Sequence, residues 1–449
     1  MKNVLSIGID AIAAYVPKFY LDLKTLADAN DMDSAKYYQG LGGHRMAVLA
    51  PGEDPVTMAA EAAHTLIQRF EISPTNIGML VVGTESAVDG AKPIASYVHG
   101  ILNLPRACRT FDLKHACYSG TAALKMAADW CASRAGTGVQ ALVITTDVAR
   151  YGVGSAGEPT QGAGAIAFLV GQNPRLFTLD EGMDAVYSEN VMDFWRPHYR
   201  SEAVVQGQVS IDSYLNLLER TYSAYEATSE RHLRDYDYLL FHVPFPKMAY
   251  KGFRRLYERE ESIARTGCFG ADSMDKAFDK RVKPTLWANR EVGNIYTGSL
   301  YLSLASLLEK ERYRLTGAQL GLFSYGSGCC AEFFSGKIPD GASEWTDRIG
   351  LHEAFSKREE LDYQQYLDYR NVNEEMARNG SLEAGLSISH GGKYSFRGIA
   401  DHQRVYCHTV PDRVGIASAR TATRSADCSE AERTITCSNS VRMSNVSRK

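Results

Sequence analysis

The sequence lacks any long apolar run, and this absence narrows the class of protein. No segment approaches the roughly 20 apolar residues that cross a bilayer. The first twenty residues, MKNVLSIGIDAIAAYVPKFY, resemble a signal peptide only in part, because Asp10 interrupts their apolar stretch. A net charge of −4 over 449 residues gives no indication of nucleic acid or a membrane surface as partner. We therefore expect a cytoplasmic protein.

Metal-binding cysteine spacing is also missing. The nine cysteines are scattered along the chain and form no C-x-x-C pair. The adjacent Cys329 and Cys330 suit neither a zinc knuckle nor an unstrained disulfide. We expect no metal site, and we expect free thiols that are mostly small core residues.

The C-terminal segment 407–449 has no Leu, Phe, Tyr or Trp, whereas Ser, Thr and Arg are abundant. Such a segment cannot bury enough apolar surface to offset the entropy lost on ordering. We expect it to be a disordered tail without a catalytic role.

The rest of the chain alternates strand and helix patterns. Apolar, β-branched runs that end in Gly, Ser or Pro are typical of buried strands, and helical patterns such as 55–70 and 120–134 lie between them. This alternation predicts a layered α/β fold with largely parallel central strands. The predicted strands are 77–86, 140–149, 236–244 and 319–328.

A weak internal repeat accompanies this pattern. CYSGTAALKMA (117–127) aligns with IYTGSLYLSLA (295–305), and both run from Tyr-Ser/Thr-Gly into an apolar helix. A helix that is apolar all round lies inside a protein. The repeat favours two duplicated halves with a pair of buried helices at the centre, although chance can explain so short a match.

Three reactive residues fall where a strand ends or a buried helix begins. Glu85 follows MLVVGT, His242 follows YDYLLF, and Cys117 precedes the first buried helix. Sites in α/β folds gather at the carboxyl ends of strands. The helix dipole would favour a thiolate at Cys117, and a Cys–His–carboxylate set suits acyl transfer. Each residue taken alone fits a structural role better, whereas the three together favour a catalytic centre.

One further motif lacks the context that its function requires, and a second has two possible interpretations. GVGSAG (152–157) matches G-x-G-x-x-G, but Glu158-Pro159-Thr160 follows it instead of a helix, so a dinucleotide site is not predicted. Lys247 and Lys251 share one face of a predicted helix. Their spacing is compatible with binding phosphates or with a solvated surface.

Motifs throughout residues 4–406 identify a family resemblance. The chain resembles the 3-hydroxy-3-methylglutaryl-CoA synthases of the thiolase-like superfamily. The motifs that carry the resemblance are IAAYVPKFYLDL, EDPVTMAAEAA, GTES, KHACYSGTAAL, TTDVARYG, GEPTQGAGAIAFLV, DFWRPHY, FHVPFPKMAYK, VGNIYTGSLYLSLASLLE and FSYGSG.

The resemblance implies a thiolase-like αβαβα fold with an N-terminal half at 1–175 and a C-terminal half at 176–406. It implies condensation of acetyl-CoA with acetoacetyl-CoA and water, no bound cofactor, and a homodimer. The alternative within the family is the polyketide β-branching enzyme, which uses acetyl-acyl carrier protein and a carrier-bound β-ketothioester. A fatty-acid ketoacyl synthase fits less well, because His242 is followed by Val-Pro-Phe-Pro. A non-enzymatic scaffold would not need the three reactive residues.

The resemblance also implies site roles. Cys117 matches the nucleophile that takes the acetyl group, Glu85 the general base and acid, and His242 the residue that orients the second substrate. The remaining matches are expected to bind substrate: the acyl-pocket positions Asn294 and Ser327, the basic positions Lys247 and Lys251 beside the CoA entrance, and the cavity-lining positions Asp147, Tyr151, Thr160, Asp193 and Phe194.

Overall fold

The computed structural model describes residues 6–264, 272–379 and 391–408. Its strands are β1 (Ile7–Tyr15), β2 (Phe19–Asp22), β3 (Arg45–Val48), β4 (Ile77–Gly83), β5 (Arg109–Leu113), β6 (Gln140–Val148), β7 (Ala163–Gln172), β8 (Phe177–Ser188), β9 (Phe194–Trp195), β10 (Val204–Val205), β11 (Tyr238–Phe241), β12 (Gln319–Gly326), β13 (Cys330–Lys337), β14 (Glu359–Glu360), β15 (Tyr394–Ala400) and β16 (Gln403–His408).

The α-helices of the described residues are α1 (Leu23–Ala29), α2 (Pro55–Arg69), α3 (Ile94–Ile101), α4 (Ser119–Ala132), α5 (Gly207–Ser229), α6 (Pro246–Ala264), α7 (Met274–Arg281), α8 (Trp287–Val292), α9 (Ser299–Lys310), α10 (Leu351–Ser356) and α11 (Tyr363–Asn379). No helix in the described ranges is long and apolar enough to cross a membrane.

The main sheet has nine strands in the order β11-β12-β13-β8-β1-β7-β6-β4-β5. The strands β1, β7, β6 and β4 repeat as β8, β13, β12 and β11, with the same parallel and antiparallel pairings. This correspondence confirms the predicted duplication. The two sets are joined by a short pairing in which Gly8 and Ile9 of β1 meet Thr178 and Phe177 of β8.

The prediction of largely parallel strands is wrong for the middle of this sheet. Parallel pairing is confined to β4 with β5, β4 with β6, and β11 with β12. The strands from β6 through β7, β1, β8 and β13 to β12 pair antiparallel. The reason is connectivity, because β6 to β7 and β12 to β13 are joined by loops without a crossover α-helix.

The two helices of the sequence repeat differ in burial. Every residue of α9 from Ser299 to Leu308 is buried, as predicted. The prediction is wrong for one face of α4, where Met126 is 43% exposed. The opposite face of α4 packs on β4, β6 and β7. Only one face of α4 therefore lies in the protein core.

The glycines of the repeat mark the close contact between these helices. The backbone N–H of Gly120 donates to Thr297 Oγ1 at 2.5 Å. A Cβ on Gly120 would lie 2.7 Å from Thr145 Cγ2 and 2.9 Å from Thr297 Oγ1. Gly120 is therefore needed for the close packing at this contact.

Replacing Gly120 by Ala is expected to destabilise the protein by about 1–3 kcal/mol, because the new methyl group overlaps Thr145 and Thr297. Gly100→Ala is the matched control, since Gly100 lies in α3 with nothing within 4 Å of its Cβ position. Equilibrium denaturation of both variants checks the prediction. Equal stabilities would contradict it.

The boundary of the predicted tail also shifts. Cys407 and His408 lie in β16 and pair with Ser395 and Tyr394 of β15. The chain separates into the units Met1–Thr409 and Val410–Lys449. The predicted disorder of the remainder of the tail concerns residues outside the described ranges.

Candidate functional site

Cys117 lies in a tight turn just before α4. Ala116 has a φ of 40°, and the N–H of Tyr118 donates to the carbonyl oxygen of His115 at 2.9 Å. Helix α4 begins two residues later, at Ser119. The Cys117 thiol donates to Glu85 Oε1 at 3.4 Å. The turn therefore aims the predicted nucleophile at the predicted base.

The surroundings of Cys117 oppose ionisation. Burial raises the pKa of the Cys117 thiol well above its usual value, and the neighbouring carboxylates of Glu85, Asp147 and Asp193 raise it further. The expected dipole-stabilised thiolate is thus a protonated, half-buried thiol in the free protein. Its proton needs an acceptor, and the carboxylate of Glu85 is in contact with it.

Asp147 positions the backbone of Glu85 through hydrogen bonds. Asp147 Oδ1 accepts from the backbone N–H of Glu85 at 2.9 Å and from Thr84 Oγ1 at 3.0 Å. Asp147 Oδ2 accepts from the N–H of Thr297 at 3.3 Å. Asp147 therefore positions the loop of Glu85 and connects it to the turn before α9.

Burial and mutual repulsion set the ionisation of these two carboxyl groups. Burial is the main cause that raises the pKa of Glu85, and the charge of Asp147 raises it further. Burial also raises the pKa of Asp147, against hydrogen bonds that lower it. A carboxyl group with a raised pKa is a stronger base when deprotonated and can return a proton near neutral pH.

Aromatic side chains enclose the cysteine. Tyr151 and Tyr296 are buried and pack with Cys117 and Phe194. The Phe194 ring centroid lies 6.4 Å from that of Tyr151 and 5.6 Å from that of Tyr296. Thr160 lies beside Tyr151, and its hydroxyl donates to the carbonyl oxygen of Gly157 at 2.7 Å. These rings keep water from the thiol on one side.

The turn between β12 and β13 forms another wall. Asp193 is fully buried and accepts from Tyr325 Oη at 2.6 Å and from the N–H of Gly328 at 3.0 Å. Asp193 thereby fixes the turn that carries Ser327. Asn294 Oδ1 accepts from the N–H of Tyr296 at 2.8 Å, so Asn294 shapes the start of the second repeat.

His242 follows β11, whose Phe241 is in register with Phe323 of β12. Its side chain is 3% exposed, and burial lowers its pKa to about 3. The imidazole is therefore neutral and can donate one hydrogen bond to a carbonyl group. The structure shows no hydrogen bond from His242 to Cys117 or Glu85. His242 follows the carboxyl end of β11, and Ser327 follows the carboxyl end of the neighbouring parallel strand β12.

The two predicted phosphate-binding lysines lie at the start of α6. Lys247 and Lys251 share a half-buried face, and Lys247 Nζ is 4.1 Å from the ring centroid of Tyr250. The neighbouring turn approaches closely, because a Cβ on Gly42 would lie 3.2 Å from Cβ of Pro246.

A cavity of about 830 Å³ opens beside Glu85. Of the predicted site residues, Glu85, Phe194 and Ser327 line it. Lining residues that the sequence reasoning missed include His115, Arg150, Trp195 and Arg196. Trp195 and Arg196 are in the DFWRPHY motif, and Arg150 is in TTDVARYG, so these motifs contained a signal that was not resolved into residues.

We expect the rate of Cys117 acylation to rise with pH through the neutral range. Glu85 must be deprotonated to accept the thiol proton, and its raised pKa delays deprotonation to higher pH. Below that pKa the rate should change about tenfold per pH unit. Rapid-quench mass spectrometry of the acyl-enzyme gives the profile. A rate that is flat from about pH 6 upward, the behaviour of an ordinary carboxyl group, would contradict the assignment.

Comparison with known proteins gives a consistent result. The family model described as hydroxymethylglutaryl-coenzyme A synthase N terminal matches residues 3–175. The model described as hydroxymethylglutaryl-coenzyme A synthase C terminal matches residues 177–266 and 270–407.

Individual proteins match over most of their length. Hydroxymethylglutaryl-CoA synthase of Enterococcus faecalis is 35% identical over 81% of this chain and 91% of that protein. The polyketide biosynthesis 3-hydroxy-3-methylglutaryl-ACP synthase PksG of Bacillus subtilis (strain 168) is 36% identical over 81% and 87%. The solved structure of MvaS in complex with 3-hydroxy-3-methylglutaryl coenzyme A is 41% identical, with a TM-score of 0.82 over 91% of this chain and 100% of that chain. This likeness confirms the predicted thiolase-like α/β fold.

Proposed function

Since this chain belongs to the hydroxymethylglutaryl-CoA synthase family of acyl-transferring enzymes, we propose that it condenses acetyl-CoA with acetoacetyl-CoA and water to give 3-hydroxy-3-methylglutaryl-CoA and CoA. The observation that carries the proposal is the contact of the Cys117 thiol with Glu85 Oε1 in an enclosed site. In this role the enzyme supplies the mevalonate route to isoprenoids.

The first step is acetyl transfer to Cys117. The carboxylate of Glu85 accepts the thiol proton, Sγ attacks the acetyl carbonyl, and the proton passes to the departing CoA thiolate. Because the pKa of the Cys117 thiol is raised, this acceptor accelerates the attack. The rings of Tyr151, Phe194 and Tyr296 exclude water that would hydrolyse the acetyl thioester early.

Condensation uses the same carboxylate again. Glu85 removes a methyl proton from acetyl-Cys117, and the resulting enolate carbon bonds to the ketone carbon of acetoacetyl-CoA. The neutral imidazole of His242 donates to the ketone oxygen, and Glu85 returns a proton to the new alkoxide. Water then cleaves the Cys117 thioester, which restores the thiol and gives the product a free carboxylate.

We further propose that CoA enters past α6. Lys247 and Lys251 lie in the first turns of this helix, where the helix dipole and two ammonium groups both favour phosphate. Asn294 and Ser327 complete the acyl pocket from the second half of the chain.

The second candidate is transfer from an acyl carrier protein. PksG, named as an HMG-ACP synthase, is 36% identical to this chain, and the E. faecalis CoA enzyme is 35% identical, so identity does not separate the two donors. The test is to present acetyl-CoA and an acetyl-acyl carrier protein separately and to follow acetyl-Cys117 by mass spectrometry. Faster acylation from acetyl-CoA supports the first function, and faster acylation from the carrier supports the second.

We also propose a homodimer. Strand β5 is an edge of the main sheet in the described chain, and the adjacent α4 exposes Met126. An unpaired edge strand beside an apolar side chain favours association with a second copy. Light scattering gives the molar mass, and a monomer at working concentration would refute the proposal.

A further inference from the structure

Two arginine side chains line the cavity beside Glu85 without an ion-pair partner in the described part of the chain. Arg196 Nη2 donates to the backbone carbonyl oxygen of Glu85. Arg150 lines the same cavity, and no side-chain hydrogen bond from it is found among the described residues. Buried guanidinium groups are usually paired with carboxylates or phosphates. Arg150 is half-buried, and the exposed Arg196 adds a second positive charge at the wall of the cavity.

Two carboxylates that line the cavity, those of Glu53 and Asp54, already have partners. Glu53 accepts from Tyr15 and from the N–H of Ala50 at 2.7 Å. Asp54 accepts from Arg404 Nη2 at 2.7 Å. The guanidinium groups of Arg150 and Arg196 therefore remain without an ion pair in the described chain, although the charge of Arg196 also lowers the pKa of Glu85.

The two guanidinium groups also disfavour each other. Burial is the main cause that lowers the pKa of Arg150, and the charges of Arg370 and Arg196 lower it further. Glu374 offsets part of this repulsion, but its carboxylate is 3.3 Å from Arg370 Nε. An anion between Arg150 and Arg196 would relieve their repulsion and offset the hydration that Arg150 has lost.

We propose that Arg196 and Arg150 bind the carboxylate that hydrolysis creates at the acyl end of the product. This inference rests on the proposed function. The acetyl and acetoacetyl groups carry no carboxylate, whereas the product acquires one at the carbon that leaves Cys117. In that step the C–S bond breaks, a C–O bond to water forms, one proton returns to the Cys117 thiolate, and a second is released as the carboxylate ionises.

The position of the pair fits this group better than the CoA phosphates. Arg196 contacts Glu85, and Glu85 contacts Cys117, so the guanidinium lies at the reacting end of the site. The phosphates of a CoA bound for reaction lie at the opposite end of its pantetheine arm. The pair would therefore distinguish product from both substrates by charge.

The test compares glutaryl-CoA with pentanoyl-CoA, which have equal chain lengths and differ by a carboxylate in place of a methyl group. Binding to the full-length protein is followed by calorimetry, with intrinsic tryptophan fluorescence as a second readout. The wild type should bind glutaryl-CoA more tightly. Arg196→Met and Arg150→Met should each reduce that preference about tenfold or more, the usual value of a charge-assisted hydrogen bond. Because the preference is a ratio, partial unfolding of a variant does not change it.

Arg200→Met is the matched control, since Arg200 lines the cavity but lies 3.7 Å from the carboxylate of Glu202. It should affect both thioesters equally. Equal wild-type affinities, or a preference that survives in Arg196→Met, would overturn the inference and leave the proposed function intact. A shifted pH–rate profile with an unchanged preference would also overturn it, since Arg196 would then act only on Glu85. If neither thioester binds the wild type, the proposed function fails as well.

Discussion

Cys117→Ala is expected to abolish formation of the acetyl-enzyme and all product. No other described cysteine contacts Glu85, and the Cys117 thiol lies 3.4 Å from its carboxylate. The fold should survive, because alanine fits the turn and the substitution removes only the Sγ atom and its proton. The measurement is covalent labelling with radioactive acetyl-CoA, together with the melting temperature.

Cys131→Ala is the control for this variant. Cys131 is buried in α4, and its thiol donates to the carbonyl oxygen of Val170 at 3.4 Å, away from Glu85. It should acetylate at the wild-type rate. Normal labelling of Cys117→Ala would show that another cysteine is the nucleophile.

Glu85→Gln is expected to lower the rate of condensation about 10²- to 10⁴-fold, the usual contribution of a general base. Glutamine keeps the shape of the side chain but cannot accept a proton at neutral pH. Acetylation should be slower, because the Cys117 thiol loses its acceptor, yet acetyl-Cys117 should still accumulate with acetyl-CoA alone. Adding acetoacetyl-CoA should then give little product.

Single-turnover mass spectrometry separates these two steps. Glu53→Gln is a suitable control, since Glu53 is a buried carboxyl group that lines the same cavity and bonds to Tyr15. It should condense at close to the normal rate. If pre-acetylated Glu85→Gln condenses normally, the carboxylate would serve only to activate the thiol, and the mechanism proposed here would be wrong.

Much of this site could be predicted from sequence because its parts are local. Strand ends, the Tyr-Ser/Thr-Gly repeat and the Cys117 motif are short patterns, and the structure places Glu85 and Cys117 in contact. The position of His242 relative to Cys117 depends on strand order, which a pattern of strands and helices does not specify. The mixed sheet was missed for the same reason.

Other features depend on contacts between distant residues. Asp147 was expected to line the cavity, but its hydrogen bonds to Glu85 and Thr297 make it a support for the loop. The need for glycine at position 120 arises from its contact with Thr297, which is 177 residues further along the chain, so the sequence pattern does not show it. The role of Arg196 can be inferred only from its hydrogen bond to the backbone carbonyl oxygen of Glu85, which is 111 residues away in the sequence.

The hydrogen bonds of Asp147 have a consequence for the order of folding events. Its carboxylate joins the loop of Glu85 to the N–H of Thr297, which is 150 residues further along the chain. Contacts of such long sequence separation form late, because closing a large loop costs entropy before the contact compensates for it. The strands of the first half can therefore form before the N–H of Thr297 donates to Asp147. We therefore expect the hydrogen-bond network of Asp147 to be complete only when Thr297 and the start of α9 have docked.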